Sequence, residues 1–385
     1  MIIRDIPLAW QQLIRQKTRF AVATMGIGFS VILILVQLGF KNALFDANTL
    51  IPTLIQSDLV MISPQAKNFG NLSSFPRRRL FQAQNLAGVE STAPLYAQLG
   101  SWRNPQTKLK APILVLGFNP AQVALNIPEL EQQAPLLQGS DIFLLDRLSA
   151  KEYKQAIDEL DKGEKLTTEL QGRKITVVGL FTLGGSFTAN THLVTSDQNF
   201  FRAFSQQPPS SVNLGLVKLK DGSDPVATAR ALEAILENDV KVFTKAEYIN
   251  FEKNYWQNNT SVGFIFSFGV VIGFVVGVII VYQIIYGDVL DHIAEYATLK
   301  AMGYRNIYLF GVVFQQVLIL AVAGYIPGAL ISFGLYNFLR NVTNLPIIFA
   351  FGEAFEVLIL TIIMCLISGT ITLQKLRSAD PAEIF

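Results

Sequence analysis

The sequence is poor in the residue types that build most metal and disulfide sites. Among its 385 residues it has one cysteine, Cys365, and two histidines, His192 and His292. A single cysteine excludes an intramolecular disulfide, and neither histidine stands in the HExxH or cysteine-paired spacing of a zinc site. Cys365 lies midway along an apolar stretch, where the expected role of a thiol is to fill space. The sequence therefore predicts no metal site.

Motifs for phosphate binding and nucleophilic catalysis are missing as well. The sequence contains no Gly-Lys dipeptide, which excludes a Walker A phosphate loop. It also contains no G-x-S-x-G elbow of the kind that presents a catalytic serine. Gly184-Gly185-Ser186 is therefore interpreted as a turn. We expect a non-catalytic chain without a cofactor, whose source of energy is another protein.

Charge is scarce. Only 16% of the residues are charged, against about 25% in ordinary soluble domains, while 51% are hydrophobic. With 31 basic and 29 acidic residues the net charge is +2, which gives no sign of a nucleic-acid surface. The composition indicates that part of the chain is solvated by lipid.

Four stretches lack charged residues for about the 20 residues that a helix needs to cross a bilayer. Lipid offers backbone groups no hydrogen-bond partner, so each stretch is predicted to be a helix. The first could instead be a cleaved signal peptide, but its apolar run is longer than a signal core and no clear small-x-small cleavage site follows it. The predicted spans are residues 20–40, 259–287, 306–339 and 357–374.

The distribution of basic residues predicts how these spans are oriented in the membrane. Eight of them lie in the two ends of the chain and in the segment between the second and third spans, whereas the short 340–356 segment has Arg340 alone. The positive-inside rule therefore places both termini in the cytoplasm and residues 41–258 outside. The eight residues, in segments 1–19, 288–305 and 375–385, are Arg4, Arg15, Lys17, Arg19, Lys300, Arg305, Lys375 and Arg377.

The 41–258 segment is predicted to be a mixed α/β domain. Asp224, followed by Pro225, is a predicted N-cap for a helix through Leu236. Thr244 is a second N-cap, and its helix is expected to continue into the second span as a stiff connection. Residues 69–79 are predicted to be an exposed loop, whose three arginines could contact an anionic lipid or an acidic partner, or simply be solvated. Strands rich in β-branched and aliphatic residues are predicted at 59–62, 113–116, 175–181, 214–219 and 240–243.

Two patterns within the spans indicate helix packing. Gly269, Gly273 and Gly277 recur at every fourth position of the second span. Small residues at this spacing let helices approach closely, either within one subunit or between two. Gln315 and Gln316, early in the third span, are predicted to hydrogen-bond a neighbouring helix rather than to contact a substrate.

The segment between the second and third spans is predicted to hold an amphipathic helix. Such a helix can rest on the membrane or dock into a groove on a partner, and spacing alone leaves both readings open. Its apolar residues fall close to one helical face and its acidic residues largely off it; they are Val289, Leu290, Ile293, Ala297 and Leu299, and Asp288, Asp291 and Glu295.

Three segments carry a resemblance to a known family. Residues 295–303, EYATLKAMG, resemble the E-[IV]-G-x-L-[RK]-A-x-G pattern of the MacB/FtsX-like (type VII) ABC exporter permeases, departing from it at Tyr296 and Ala297. The tail 376–385, LRSADPAEIF, is similar to the family's closing DPA motif, and residues 8–20 resemble the elbow helix that precedes its first span. Within the family, residues 185–205 and 213–219 are most similar to DevC-type permeases of heterocyst glycolipid exporters.

The resemblance implies an α-helical membrane domain of four spans in a one-then-three arrangement, with a large MacB-like periplasmic α/β domain, in the bacterial inner membrane. Segment 288–305 would be the coupling helix that meets an ABC ATPase subunit, which binds the ATP and Mg²⁺. Other implied partners are a periplasmic membrane-fusion protein, indirectly an outer-membrane channel, membrane lipids and a second copy of the chain. The residues assigned to ATPase coupling are Ile293, Glu295, Tyr296, Ala297, Leu299, Lys300, Ala301 and Gly303.

The function implied is mechanotransmission, in which ATPase-driven motion reaches the periplasmic domain and drives export of a glycolipid or another lipophilic substrate. One alternative within the family is extraction of a lipoprotein or lipid from the outer leaflet without a fusion protein. Another, from a different class, is a membrane-anchored sensor or scaffold. A sensor would carry a cytoplasmic output domain, and the predicted cytoplasmic segments are all short.

The predicted orientation can be tested by cysteine labelling. A cysteine introduced at Ser210 should react with a membrane-impermeant maleimide in intact spheroplasts, because residues 41–258 are expected to face outwards. A cysteine at Ser378 should react only after the membrane is opened. The reverse pattern of labelling would overturn the orientation that the basic residues predict.

Overall fold

The computed structural model describes residues 10, 13, 15–149, 151–184, 189, 191–293, 298, 302, 306–343 and 347–378. It divides the chain into two units, each described by itself below. The first, here the helical unit, comprises Met1–Ala43, Ser261–Val342 and Ile347–Phe385. The second, here the sheet domain, comprises Leu44–Thr260 with Thr343–Pro346.

Among the described residues, four helices are long and apolar enough to cross a membrane: α1 (Lys17–Leu54), α8 (Ser261–Asp291), α9 (Asn306–Thr343) and α10 (Phe351–Ser378). The strands of the sheet domain are β1 (Leu59–Ile62), β2 (Phe75–Pro76), β3 (Val89–Arg103), β4 (Lys110–Phe118), β5 (Ile142–Asp146), β6 (Leu166–Leu170), β7 (Arg173–Phe181), β8 (His192–Ser196), β9 (Ser211–Val212), β10 (Leu214–Leu219) and β11 (Lys241–Thr244). Its helices are α2 (Arg78–Gln84), α3 (Pro128–Gln133), α4 (Lys154–Asp161), α5 (Asp197–Ala203), α6 (Pro225–Ile235) and α7 (Lys245–Asn258), with 3₁₀ turns at Ala134–Gln138 and Lys151–Tyr153.

Nine of these strands form one sheet in the order β11-β1-β10-β3-β4-β8-β5-β7-β6. The pairs β4–β8 and β5–β7 are parallel, and the other described pairs are antiparallel. The long strand β3 also pairs at its far end with β6, where Trp102 lies opposite Leu170. One end of the sheet therefore curls back to meet its own middle. The short strands β2 and β9 pair separately.

Both faces of the sheet are covered, and each carries its own hydrophobic core. In β4, Ile113 and Val115 belong to one core while Leu114 and Leu116 belong to the other. Successive side chains of a strand point to opposite faces, so a strand buried on both sides must be apolar throughout. This explains why the run 113–116 contains only aliphatic residues.

The predicted helix starts and strands of the sheet domain are largely confirmed. Asp224 caps α6 by accepting a hydrogen bond of 2.9 Å from the N–H of Val226. Thr244 and Glu247 form a reciprocal capping box at the start of α7, which satisfies two backbone donors. The strands predicted at 59–62 and 214–219 have the observed bounds, and those at 113–116, 175–181 and 240–243 lie within or one residue from β4, β7 and β11.

The predicted continuous helix from Thr244 into the second span is wrong. Helix α7 ends at Asn258 and α8 begins at Ser261, with a bend at Asn259 and Thr260. At the bend the hydroxyl of Thr260 donates to the carbonyl of Trp256, four residues earlier, at 2.7 Å. Helix α1, in contrast, runs well past the predicted boundary at residue 40, and α8 runs past residue 287.

The arginines at residues 77–79 also differ from the prediction, because α2 begins there rather than an exposed loop. The side chain of Arg79 is only 1% exposed. Its Nε and Nη2 donate to the two carboxylate oxygens of Asp239 at 3.0 and 2.9 Å, and it forms a further ion pair with Glu237. Arg79 therefore fastens α2 to the 237–239 turn and is not available to a lipid or partner, whereas Arg78 is exposed.

A buried carboxyl group lies in α7. Glu252 is fully buried, near Tyr248 of the core that packs on one face of the sheet. Burial raises the pKa of Glu252 to about 7, and it outweighs the opposing effects of the Phe69 backbone N–H and the Tyr248 hydroxyl. Burial also raises the pKa of Tyr248. The native domain consequently holds a proton on Glu252 over a pH range in which the unfolded chain has lost it.

This raised pKa predicts the pH dependence of stability. The contribution of Glu252 is complete below about pH 4.5 and is lost as the pH rises through about 7, a total of about 3 kcal/mol. Glu252→Gln stays neutral at every pH, so it should flatten the decline and be the more stable protein at pH 8. Urea midpoints from pulse proteolysis between pH 5 and 8.5 measure this. The exposed Glu164 gives a matched control, Glu164→Gln, which should keep the wild-type slope; an unchanged slope in Glu252→Gln would contradict the assignment.

Candidate functional site

Most of the predicted coupling segment lies outside the described residues. This applies to Glu295, Tyr296, Ala297, Leu299, Lys300, Ala301 and Gly303. Of the predicted coupling residues, Ile293 is described, and it is half-buried at the end of a helical stretch that continues from α8. Val289 is buried within the helical unit and Leu290 is 45% exposed. The apolar face predicted for this segment is therefore divided, and Val289 packs inside the unit instead of facing a partner.

Polar contacts join α8 and α9, the helices that precede and follow the segment. Gln316 of α9 donates from Nε2 to Oδ2 of Asp288 in α8 at 3.0 Å. One turn further along, His292 donates from Nδ1 to the carbonyl oxygen of Asp288 at 2.8 Å. Asp291 forms an ion pair with Arg19 of α1. These five residues, here called the basal cluster, connect α1, α8 and α9 at one end of the helical unit.

A small cavity adjoins the basal cluster. Its volume of about 10 Å³ is close to the least that holds one water molecule. Its polar lining is Gln16, Arg19, Asp288 and Gln316, and apolar side chains of α1, α8 and α9 complete it. The carboxylate of Asp288 is therefore largely shielded from solvent, with 8% of the residue exposed.

Sequence reasoning found part of this cluster. Gln316 is buried and hydrogen-bonds a neighbouring helix as predicted, while Gln315 beside it is exposed. The sequence did not indicate the role of Asp288, because the acidic residues of 288–295 were predicted only to lie largely off the apolar face of an amphipathic helix. The available signal was a carboxylate within one turn of an apolar span, where an unpaired charge is costly.

Other polar contacts join the four long helices to one another. Each ends on a backbone carbonyl or carboxylate of a different helix, so the polar atom is satisfied where water is excluded. They are Ser368 Oγ to the Val278 carbonyl at 2.8 Å, Asn42 Nδ2 to Glu353 Oε1 at 2.6 Å, Tyr325 Oη to the Ala354 carbonyl at 2.6 Å and Tyr336 Oη to the Leu35 carbonyl at 2.5 Å.

The sheet domain holds a second buried polar group, around Asp146. This carboxylate accepts hydrogen bonds from the N–H groups of Leu183 and Gly184, each at 3.0 Å, and lies 3.2 Å from His192 Nδ1. Within the described part of the chain, Nε2 of His192 has no partner, and the Ser149 hydroxyl bonds Thr191 and the Asp146 carbonyl instead. The arrangement anchors the chain after β7, and among the described residues no serine or threonine hydroxyl pairs with His192 as a nucleophile with its base.

Comparison with known families covers most of the chain. Residues 20–235 match the MacB-like periplasmic core domain family, and residues 256–381 match the FtsX-like permease C-terminal family. The chain belongs to the MacB/FtsX-like family of ABC transporter permeases. Family members are generally non-catalytic subunits that work with an ATPase and a fusion protein. A comparison with curated protein sequences gives no match.

Two solved structures are similar to this permease. One is the periplasmic region of MacB from Actinobacillus actinomycetemcomitans, at 13% identity and a TM-score of 0.36, covering 55% of this chain and 97% of that one. The other is the extracellular domain of the noncanonic ABC-type transporter YknZ from Gram-positive bacteria, at 12% identity and a TM-score of 0.34, covering 49% of this chain and 100% of that one.

The three glycines predicted to pack closely face other spans of the same permease chain. A Cβ atom added at Gly273 would lie 2.9 Å from Cγ1 of Ile34 in α1. One added at Gly277 would lie 3.0 Å from Oγ of Ser30 and closer still to Met364 of α10. At Gly269 it would meet Gln37 of α1. A further close approach that the sequence did not indicate joins Gly28 to Gly328, where an added Cβ on Gly328 would lie 2.9 Å from the Gly28 carbonyl oxygen.

Close packing at Gly273 predicts a large effect of substitution. Gly273→Val should destabilise the purified permease by about 1–3 kcal/mol, the usual result of overpacking, which a thermal unfolding midpoint in detergent measures. Gly334→Val is the matched control, because nothing lies within 4 Å of a Cβ at that position. Equal midpoints for the two variants would show that α8 does not need a small residue at 273.

Proposed function

We propose that this chain is the permease subunit of an ABC exporter in a bacterial inner membrane. Two copies bind two ATPase subunits through the 288–303 segment, with both termini in the cytoplasm and the sheet domain in the periplasm. The observation that carries the proposal is the match of both halves of the chain to permease families, one of them defined by a periplasmic core domain. The family-like motif at 295–303 lies between the two helices that the basal cluster joins.

In this proposal the ATPase subunits bind ATP and Mg²⁺ and supply the energy, since the chain has no phosphate loop. Their closure displaces the 288–303 segments. The displacement reaches the periplasmic side through α1, which is one uninterrupted helix from Lys17 to Leu54. The connection at residues 259–260 contains a bend, so it is the more compliant of the two.

The substrate that we propose is a glycolipid or another lipophilic molecule, moved from the periplasmic side with a membrane-fusion protein and, through it, an outer-membrane channel. The support is the resemblance of residues 185–205 and 213–219 to DevC-type permeases. In such mechanotransmission the substrate need not pass between the spans.

A single charge placed in the coupling segment tests the proposal. Leu299→Asp should abolish or strongly weaken assembly with the ATPase subunit, because docking would bury an unpaired carboxylate. Gly303→Val should impair coupling if Gly303 has a positive φ, which a β-branched residue tolerates poorly. The measurements are co-purification of the ATPase and stimulation of MgATP hydrolysis, with membrane insertion of the variant checked by fractionation.

The control for this experiment is Leu136→Asp, the same substitution at an exposed leucine of the sheet domain. It should leave assembly and stimulation at wild-type levels. If Leu299→Asp also assembles and stimulates hydrolysis normally, the 288–303 segment is merely interfacial and the proposed function fails.

A further inference from the structure

Asp288 is a buried acidic residue of the helical unit. It is 8% exposed and lies in the last turn of a helix whose other described residues are almost all apolar. Burying a carboxylate costs free energy unless it is paired or hydrogen-bonded. An ionisable residue in such a place is retained for a function more often than for stability.

The hydrogen-bond partner of Asp288, Gln316, indicates what this carboxylate does. Gln316 is 28 residues away in sequence, and the predicted coupling segment lies between the two. Their hydrogen bond therefore links the end of α8, which precedes the segment, to α9, which follows it. Gln316 is 1% exposed, so this bond is shielded from the water that would compete with it.

The other contacts of the basal cluster are weaker or more local. The ion pair between Arg19 and Asp291 has side chains 46% and 49% exposed, and exposed pairs contribute little. The bond from His292 to the Asp288 carbonyl stays within one turn of chain. The buried bond between Asp288 and Gln316 is thus the contact of the cluster that connects two spans in a protected environment.

We propose that Asp288 and Gln316 are positioning residues for ATPase coupling, which make α8 and α9 move as one when the 288–303 segment is displaced. This inference rests on the proposed function. Without the bond the segment could still dock on the ATPase, but its displacement would be absorbed between the two helices. Variants that lack the bond should therefore assemble normally with the ATPase subunit but lose the stimulation of MgATP hydrolysis.

A purely structural role is separated from coupling by a double variant. Replacing both members of a hydrogen-bonded pair by apolar residues of similar shape is nearly neutral for stability. Asp288→Leu/Gln316→Leu should therefore insert and unfold like the wild-type protein while lacking the bond. Asp288→Asn is the conservative variant, because its amide oxygen still accepts from Gln316.

The experiment uses the full permease assembled with its ATPase subunit in nanodiscs, with phosphate release from MgATP as the readout. The double variant and Gln316→Leu should lose at least about fivefold of the permease-dependent stimulation while binding the ATPase within about twofold of wild type. Gln316→Asn, whose amide is withdrawn by one methylene, should behave in the same way if either apolar variant is unstable. Asp288→Asn should stay near the wild-type value, and so should Gln315→Leu, the exposed neighbour.

Wild-type stimulation in the double variant or in Gln316→Asn would overturn the proposal. So would a loss of stimulation that merely follows a loss of ATPase binding. These results are distinguishable from failure of the proposed function, because Leu299→Asp is measured beside them. Consider the case in which Leu299→Asp abolishes stimulation while the variants of Asp288 and Gln316 do not. In that case the 288–303 segment still couples the permease to the ATPase, and only the proposed role of Asp288 and Gln316 is wrong.

Discussion

Burial among apolar helices constrains the polar groups in the interior of the helical unit. A donor without a partner is costly in such surroundings, so a buried polar residue bonds either a carbonyl of its own helix, as Ser332 and Thr361 do, or a neighbouring helix. Ser368 reaches Val278, Asn42 reaches Glu353, and Gln316 reaches Asp288. Glycines allow the helices to come close enough for these contacts, since the approach of Gly328 to Gly28 leaves no room for a side chain. Polar bonds and small residues together therefore set the packing, in a unit where hydrophobicity alone does not discriminate between neighbours.

The sheet domain buries its apolar and polar groups differently from the helical unit. Its sheet is covered on both faces, so strands such as β4 and β5 contribute alternate residues to two cores. Polar groups caught between the layers are held by specific partners. Arg79 is paired with Asp239, and Asp146 collects backbone N–H groups from the chain after β7. Glu252 is the exception, because burial raises its pKa to about 7.

Local signals in the sequence were sufficient for the spans, the N-caps and most strands that were predicted. Asp224 and Thr244 act through atoms within three residues of themselves, and apolar runs report their own burial. The sequence could not supply contacts made across long separations. Arg79 meets Asp239 at a distance of 160 residues, which turned an expected surface arginine into a buried one. Asp288 meets Gln316 across the predicted coupling segment, a contact that the helical periodicity of residues 288–299 could not indicate. The bend at Asn259 and Thr260 interrupts a stretch whose sequence pattern favoured a continuous helix.

The uninterrupted course of α1 gives this helix a strict relation between sequence length and angle. Each residue of an α-helix turns the chain by about 100° and advances it by about 1.5 Å. Two contacts of α1 within the helical unit depend on this relation: Gly28 lies against Gly328 of α9, and the Leu35 carbonyl accepts a hydrogen bond from the Tyr336 hydroxyl of the same helix. One residue inserted between Gly28 and Leu35 would turn one of these two positions away from α9. The spacing between them therefore fixes the angle at which α1 presents its contacts to α9.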